Sequence, residues 1–452
     1  MTTAPSSAPP RPAAPPRRRL RDAGTVLALG AALFTAGALG LSPGEPASQA
    51  ASDARPPARS TGTARDRIAA LQEQLRRTPD NHPGWARLGM EYVQQVKTTA
   101  DPTYYPKAEK SLRRSLSLRP ADNYTAEVGM GALAAARHDF AGALRWGRRA
   151  ATTNPHNAAA QGVLGDAYTQ LGRYDASFRA VQRMVDLQPA TPSLARASYS
   201  WELRGDTVRA RELMRRALDD ASDPADAAFA RTNLAGLALS DGDPAAALRE
   251  VEEGLRAAPA LPALLEARAR AHAALGRTGP AVRDYTAAIA RVPQPEYVIA
   301  LGELQQSLGH KAKAREQYDL YRSQERLLRA AGVALDSDAT LFEADHGRPD
   351  RAVALGRAAV RSRPFLATQD AYAWALHRAG RDTEALTWSD RALALGTRSS
   401  LYRYHRGMIE YALGDRTAAR ADLRTALKDE PRFHPLHAAT ARRTLTRIGH
   451  LG

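Results

Sequence analysis

Prolines recur along this chain at positions 120, 155, 189, 224, 259, 293, 364 and 431. The first five intervals are 34 or 35 residues, and the last two, 71 and 67, are each close to twice 34. A second ladder owes nothing to proline. Small residues stand at Ala108, Ala143, Ser177, Ala210, Ala247, Ala281, Ala314, Ala352, Ala385 and Ala419, with a mean spacing of about 34.6. A fixed period of this length means one supersecondary unit used about ten times, not several unrelated globular domains.

The inside of each unit predicts two antiparallel helices. Glycines at 172, 205, 242, 276, 309, 347, 380 and 414 fall where a first helix would end, and glycine accepts the left-handed conformation of a helix C-cap. Small residues near the middle of the first helix (Gly89, Gly131, Gly165, Ala235, Ala269, Gly302, Ala373, Gly407) allow a second helix to approach closely. The second helix answers with Ala near its start and again seven residues on, as in Ala143/Ala150, Ala210/Ala217, Ala281/Ala288 and Ala419/Ala426. Proline then stops it. Ile68, Leu71 and Leu75 form one apolar stripe on Ala64–Arg77, which predicts an N-terminal capping helix, and Leu436–Ile448 reads as a solvated final helix.

The array resembles the tetratricopeptide repeat family over residues 63–448. The first unit carries Trp85, Leu88, Gly89, Tyr92, Ala108, Leu112 and Pro120 at the positions of that repeat, and the third Leu164, Gly165, Tyr168, Val181 and Pro189. The seventh has Leu301, Gly302, Ala314 and Tyr318, and the tenth Gly407, Ala419, Leu423, Ala426 and Pro431. The eighth departs, with Thr340 and Gly356 where glycine and an aromatic are usual, and the fourth has Ser198 for glycine. The resemblance implies an all-α, right-handed helical-repeat solenoid whose first helices line a concave face. Carried over by position, that face holds Asp166, Thr169, Tyr199, Glu202, Glu266, Arg270, Glu296, Glu303, Gln306, Asp370, Trp374, His377, Tyr404, Met408 and Tyr411. Trp374, His377, Tyr404, Met408, Tyr411, Glu303 and Tyr199 are the expected partner-binding residues. Packing of Trp374 and Tyr404 between neighbouring repeats is the competing reading. Ala86 and Met90 replace the polar residues with which some members clamp a C-terminal carboxylate, so that role is not expected.

Two local departures stand out. The first unit carries extra residues between Tyr92 and Ala108, including Tyr104 and Tyr105, which either pack on the helices or project as a recognition loop. No proline stop closes the helix after Tyr321, so a longer helix through Arg322–Ala331 is expected, with Gly332 either a joint between residues 63–331 and 332–452 or part of one continuous stack.

The N-terminus reads as an address. Residues 1–22 are Pro/Ala/Ser-rich with Arg11, Arg17, Arg18, Arg19 and Arg21 against Asp22 alone. Residues 23–42 carry no charge, and Thr25–Leu41 could cross a hydrocarbon core of about 30 Å as a helix. Basic residues on its N-side predict a cytoplasmic N-terminus and an exported body. The segment reads as a single-pass signal anchor. Alternatively it is a signal peptide cleaved after Ala38 or Ala50, giving a secreted body. Residues 43–62 read as a flexible stalk.

Reactive chemistry is sparse. The chain has no Cys, which removes thiolate nucleophiles and Cys-bound metals. No Lys follows a Gly, so there is no P-loop, and neither G-x-S-x-G nor H-E-x-x-H occurs. Gly129-Met130-Gly131 is helix packing with no strand before it. His434 and His437 form an H-x-x-H pair without an evident third ligand. No cofactor, metal or small-molecule substrate is expected, and no enzyme activity. Of 64 basic residues only 6 are Lys, and the net charge of +16 is spread along the chain, so nucleic acid binding is not favoured. The sequence therefore reads as a non-catalytic scaffold that binds a peptide or partner protein on its concave face. The alternative is an electrostatic binder of an anionic polymer through residues such as Arg209, Arg211, Arg215 and Arg216.

Overall fold

The computed structural model describes residues 64–99, 101–330, 333–335 and 337–450. The leader, Thr25–Leu41 included, and the stalk lie outside the described residues, as does Gly332. Among the described residues there are 22 helices and no strand. A single helix, α1 (Ala64–Arg77), precedes ten antiparallel pairs. These are α2 (His82–Thr99) with α3 (Tyr104–Leu118), α4 (Tyr124–Ala136) with α5 (Phe140–Thr153), α6 (Ala158–Gln170) with α7 (Tyr174–Leu187), and α8 (Thr191–Glu202) with α9 (Thr207–Asp219). Then come α10 (Pro224–Ser240) with α11 (Pro244–Ala257), α12 (Pro262–Ala274) with α13 (Thr278–Arg291), and α14 (Pro295–Ser307) with α15 (Lys311–Ala330). The last three are α16 (Ser337–His346) with α17 (Pro349–Ser362), α18 (Leu366–Arg378) with α19 (Asp382–Leu393), and α20 (Ser400–Leu413) with α21 (Arg416–Asp429), before a closing α22 (His437–His450).

The small-residue ladder is the buried crossing point of every pair. Its ten members, Ala108 through Ala419, are each no more than 3% exposed. The irregular units are explained by the same contact. In the fourth, the Ser198 hydroxyl donates to the Ala210 carbonyl at 2.7 Å, so the polar atom that replaces glycine is satisfied by the helix it touches. In the eighth, bulk has changed sides: a Cβ at Gly356 would lie 3.1 Å from Thr340 Cγ2. Gly172, Gly205, Gly242, Gly276, Gly309, Gly380 and Gly414 adopt positive φ, as the helix ends require. Gly347 does not, and His138 takes the left-handed conformation in the second unit, with φ 61°. The tyrosine pair packs instead of projecting. Tyr105 is 3% exposed and donates to the Ala136 carbonyl at 2.7 Å, while the Tyr104 and Tyr92 rings lie 5.8 Å apart. The expected long helix is present as α15, 20 residues.

The array does not run out as an open arc. It winds back, and a second turn rests on the first. The Leu366 backbone N–H donates to the Tyr174 hydroxyl at 2.9 Å across 192 residues of sequence. A Cβ at Gly172 would lie 2.6 Å from the Pro364 carbonyl oxygen, one at Gly242 would lie 2.5 Å from that of Asp429, and one at Gly205 would collide with that of Gly396. The intra-pair turns of units three to five therefore touch the inter-pair loops about five to six repeats later, one unit for one unit.

Replacing a ladder alanine tests the crossing. Ala210→Leu should destabilise the protein by ~1–3 kcal/mol through overpacking, whereas Leu at the exposed Ala412 should leave the urea midpoint unchanged.

Candidate functional site

Because the first helices face the axis and the array winds tightly, their polar side chains meet across an enclosed interior. At its centre lies Arg270 on α12, whose Nε stands 3.8 Å from Glu266 Oε1 of the same helix. Glu202 on α8 and Glu430, just after α21, act on the same guanidinium. All four side chains are half-buried. Burial raises the Glu202 carboxyl to about 7 against the pull of Arg270, and raises Glu266 and Glu430 for the same reason. Three carboxyl groups share one cation here, inside a molecule whose overall charge is +16. Tyrosine rings border them. Burial drives the Tyr199 and Tyr402 phenols well above their ordinary range, and each also feels Glu202.

A second polar layer closes the interior toward the C-terminus. Glu303 on α14 is held between His346 Nε2 on α16 and His434 Nε2, each at 3.0 Å. His437 Nε2 reaches Asp345 Oδ2 at 3.2 Å, and the His434 and His437 rings stack at 4.1 Å. The H-x-x-H pair thus takes two different carboxylates and joins the capping helix to α14 and α16. The histidines hold the Glu303 carboxyl well below its usual range although burial opposes this. Glu303 raises His434 despite burial, while burial and the neighbouring His434 lower His437 to about 4. Among the described residues no group of three or more His, Cys, Asp or Glu is placed to hold a metal ion.

The residues expected to line the groove divide. Trp374 and Tyr404 are each 2% exposed and are packed between helices. The Trp374 indole donates to Asp345 Oδ1 at 3.0 Å and stacks on His405 at 4.3 Å, and His405 in turn holds Asp370 at 2.9 Å. Tyr404 stacks on His437 at 4.8 Å. Met408 receives the Thr444 hydroxyl at 3.7 Å, and Tyr411 packs on the same C-terminal cluster. His377 Nδ1 pairs with Asp382 at 2.6 Å beside the α18–α19 turn. Tyr199 and Glu303 face the interior, Tyr199 at the apolar patch where the two turns meet. Arg270 and Glu430 gain their importance only from winding, since 160 positions separate them in the chain. Of the arginines proposed for a polyanion, Arg211 pairs with Asp241, and Arg209 lies over the Trp201 ring at 4.4 Å; Arg215 and Arg216 are exposed.

Three measurements follow from these environments. Trp374→Ala removes a fully packed indole and should cost about 3–5 kcal/mol in urea unfolding, so loss of partner binding in that variant reports unfolding. Glu202 has a raised folded-state pKa, so its contribution is full below about 4.5 and is lost as pH rises to about 7. Glu202→Gln should therefore become more stable than the wild type above pH 7 and match it near pH 4. His434 is raised as well, so the cost of His434→Gln should shrink as pH rises through the folded-state pKa of the histidine.

Comparison with known proteins bears on the repeat itself. Residues 125–192 match the family model described as tetratricopeptide repeat. No curated protein matches the chain. Among solved structures the chain is similar to a thermophilic TPR protein of Thermus thermophilus, at 21% identity over 43% of this chain and 98% of that one, with a TM-score of 0.37. It is also similar to a tetratricopeptide repeat protein from Parabacteroides merdae, at 20% identity over 57% and 98%, with a TM-score of 0.34. The human IFIT1 dimer with m7Gppp-AAAA is 14% identical over 73% of this chain and 77% of that one, with a TM-score of 0.48. The two matched helix pairs are continued on both sides by further pairs with the same buried ladder, so the described residues form an all-α array of tetratricopeptide-like repeats.

Proposed function

We propose that this protein is a non-catalytic scaffold that takes an extended, cationic segment of a partner protein into the enclosed interior of its solenoid. Tetratricopeptide repeats mediate protein–protein interaction, and this array offers one concave surface of opposite character to its outside. The observation that carries the reading is the convergence of Glu202, Glu266 and Glu430 on the single Arg270. Two of those carboxylates lack a compensating charge within the cluster, and their raised proton affinity is the mark of it. A Lys or Arg side chain of a guest supplies that charge, and the bordering tyrosine faces suit the same cation. The expected aromatic anchors Trp374 and Tyr404 act as structural residues in this account, and Tyr199 and Glu303 stay in the binding set.

The proposed setting is the outer side of a cytoplasmic membrane, with Thr25–Leu41 as tether and residues 43–62 as stalk; the charge pattern of residues 1–42 supports it. Sizing the mature protein distinguishes tether from cleaved leader.

Site-specific photo-crosslinking in native membranes tests the interior. A photoreactive residue at Tyr402 or Glu202 should capture a partner, and one at the exposed Arg424 on α21 should not. Capture from Arg424 alone, or equal capture from both faces, would show that the guest binds outside.

A further inference from the structure

Where units three to six are overlain, the seam between the two superhelical turns differs from the contacts between neighbouring pairs. Neighbouring helix pairs are joined by contiguous apolar clusters, such as the one that runs from Ala344 through Tyr372 and Tyr404 to Ile448. Over units three to six the contacts across it are mainly polar or backbone. Arg398 reaches across to Asp241 at 3.5 Å, with Asp429 of its own turn at 3.7 Å, and its side chain is 39% exposed. Arg432 Nη1 donates to the Ala274 carbonyl at 3.3 Å. Tyr174 receives the Leu366 amide, and the Arg363 guanidinium lies over the Phe140 ring at 5.7 Å. Two apolar patches contribute: one centred on Leu203, Phe365 and Leu366, and one at the N-terminal end of the seam, where Leu328 and Val333 are buried in the cluster of Leu71, Tyr92 and Tyr105.

The turn glycines supply a control within the molecule. Gly172, Gly205, Gly242 and Gly276 have a second turn against them, and a Cβ on the first three would strike a backbone carbonyl of that turn. Gly309, Gly380 and Gly414 hold the same position in their repeats with the same positive φ, yet nothing lies within 4 Å of a Cβ on them. Glycine at the first group therefore serves close approach between turns as well as local conformation.

We propose that this seam is a lateral gate: the two turns separate along it while each turn stays folded, opening the interior from the side. The wall yields first over units three to six because exposed ion pairs are weak and screened by salt, whereas separating neighbouring repeats, or the N-terminal end of the seam, would expose apolar core. Separation needs only small rotations shared among the repeat interfaces between the fourth and ninth units. That the gate admits a guest rests on the binding reading above; that it opens does not.

The absence of Cys makes the full chain suited to a distance measurement. Spin labels on Arg173→Cys and Ser362→Cys, both exposed and flanking the Gly172–Pro364 contact, report the gap directly. At low ionic strength one narrow, short distance is expected, and in about 1 M sodium chloride, where the screening length falls to about 3 Å, a longer population should appear. Adding Arg398→Ala with Gly205→Ala should produce that longer population at low salt with helical circular dichroism unchanged. Gly309→Ala should not. A single short distance under all conditions would overturn the gate, as would equal broadening by Gly309→Ala. If the double variant loses helicity, the salt series on the labelled wild-type sequence decides alone. No partner is needed, so failure here leaves the crosslinking result standing, and the reverse holds too.

Discussion

The structure depends on the close crossing of paired helices at side chains no larger than alanine. A crossing this tight leaves no room for water and little for adjustment, so each pair presents its apolar remainder to the next in a fixed orientation. Ala143 and Ala150, or Ala419 and Ala426, fix the inner contact of a pair. Larger residues then fill the space between pairs, Leu112 against Gly129 and Leu264 against Gly254. No pair could stay folded alone, because its remaining apolar face is covered only by its neighbours.

Winding follows from the accumulation of those orientations. About five to six repeats complete a turn, and the first turn is overlain by the second at the glycine turns of units three to six. This changes what the inner face can be. An open concave groove would leave carboxylates such as Glu202 and Glu266 hydrated and acidic. Enclosure raises their affinity for protons and draws Glu430 from the end of the chain to the same arginine. The capping helix completes it, with His434 and His437 tying α22 to Glu303 and Asp345.

The period and the pairing were legible in the residues because they are local. Ten small residues at a spacing near 34.6 become ten buried crossings, and Ile68, Leu71 and Leu75 become the buried face of α1. The closure was not legible. Gly205 and Gly309 look alike in sequence and have the same φ sign, and only the second turn distinguishes them. Trp374 sits at a position that could face either a groove or a neighbour, and Asp345 on the preceding unit decides for the neighbour. The histidine pair was visible as a pair, but its carboxylates lie on α14 and α16, far back in the chain. Small rotations between repeats, summed over half the array, carry no local signature.

The amide of Leu366 reads the winding most directly. As the first residue of α18 it has no partner within its own helix, and its hydrogen bond goes to Tyr174, 192 residues earlier. If the second turn rests on the first in solution, hydrogen exchange at Leu366 should be slower in the wild type than in Tyr174→Phe by about tenfold or more. Equal, rapid exchange in both proteins would mean that the solenoid is open and that its interior is a surface.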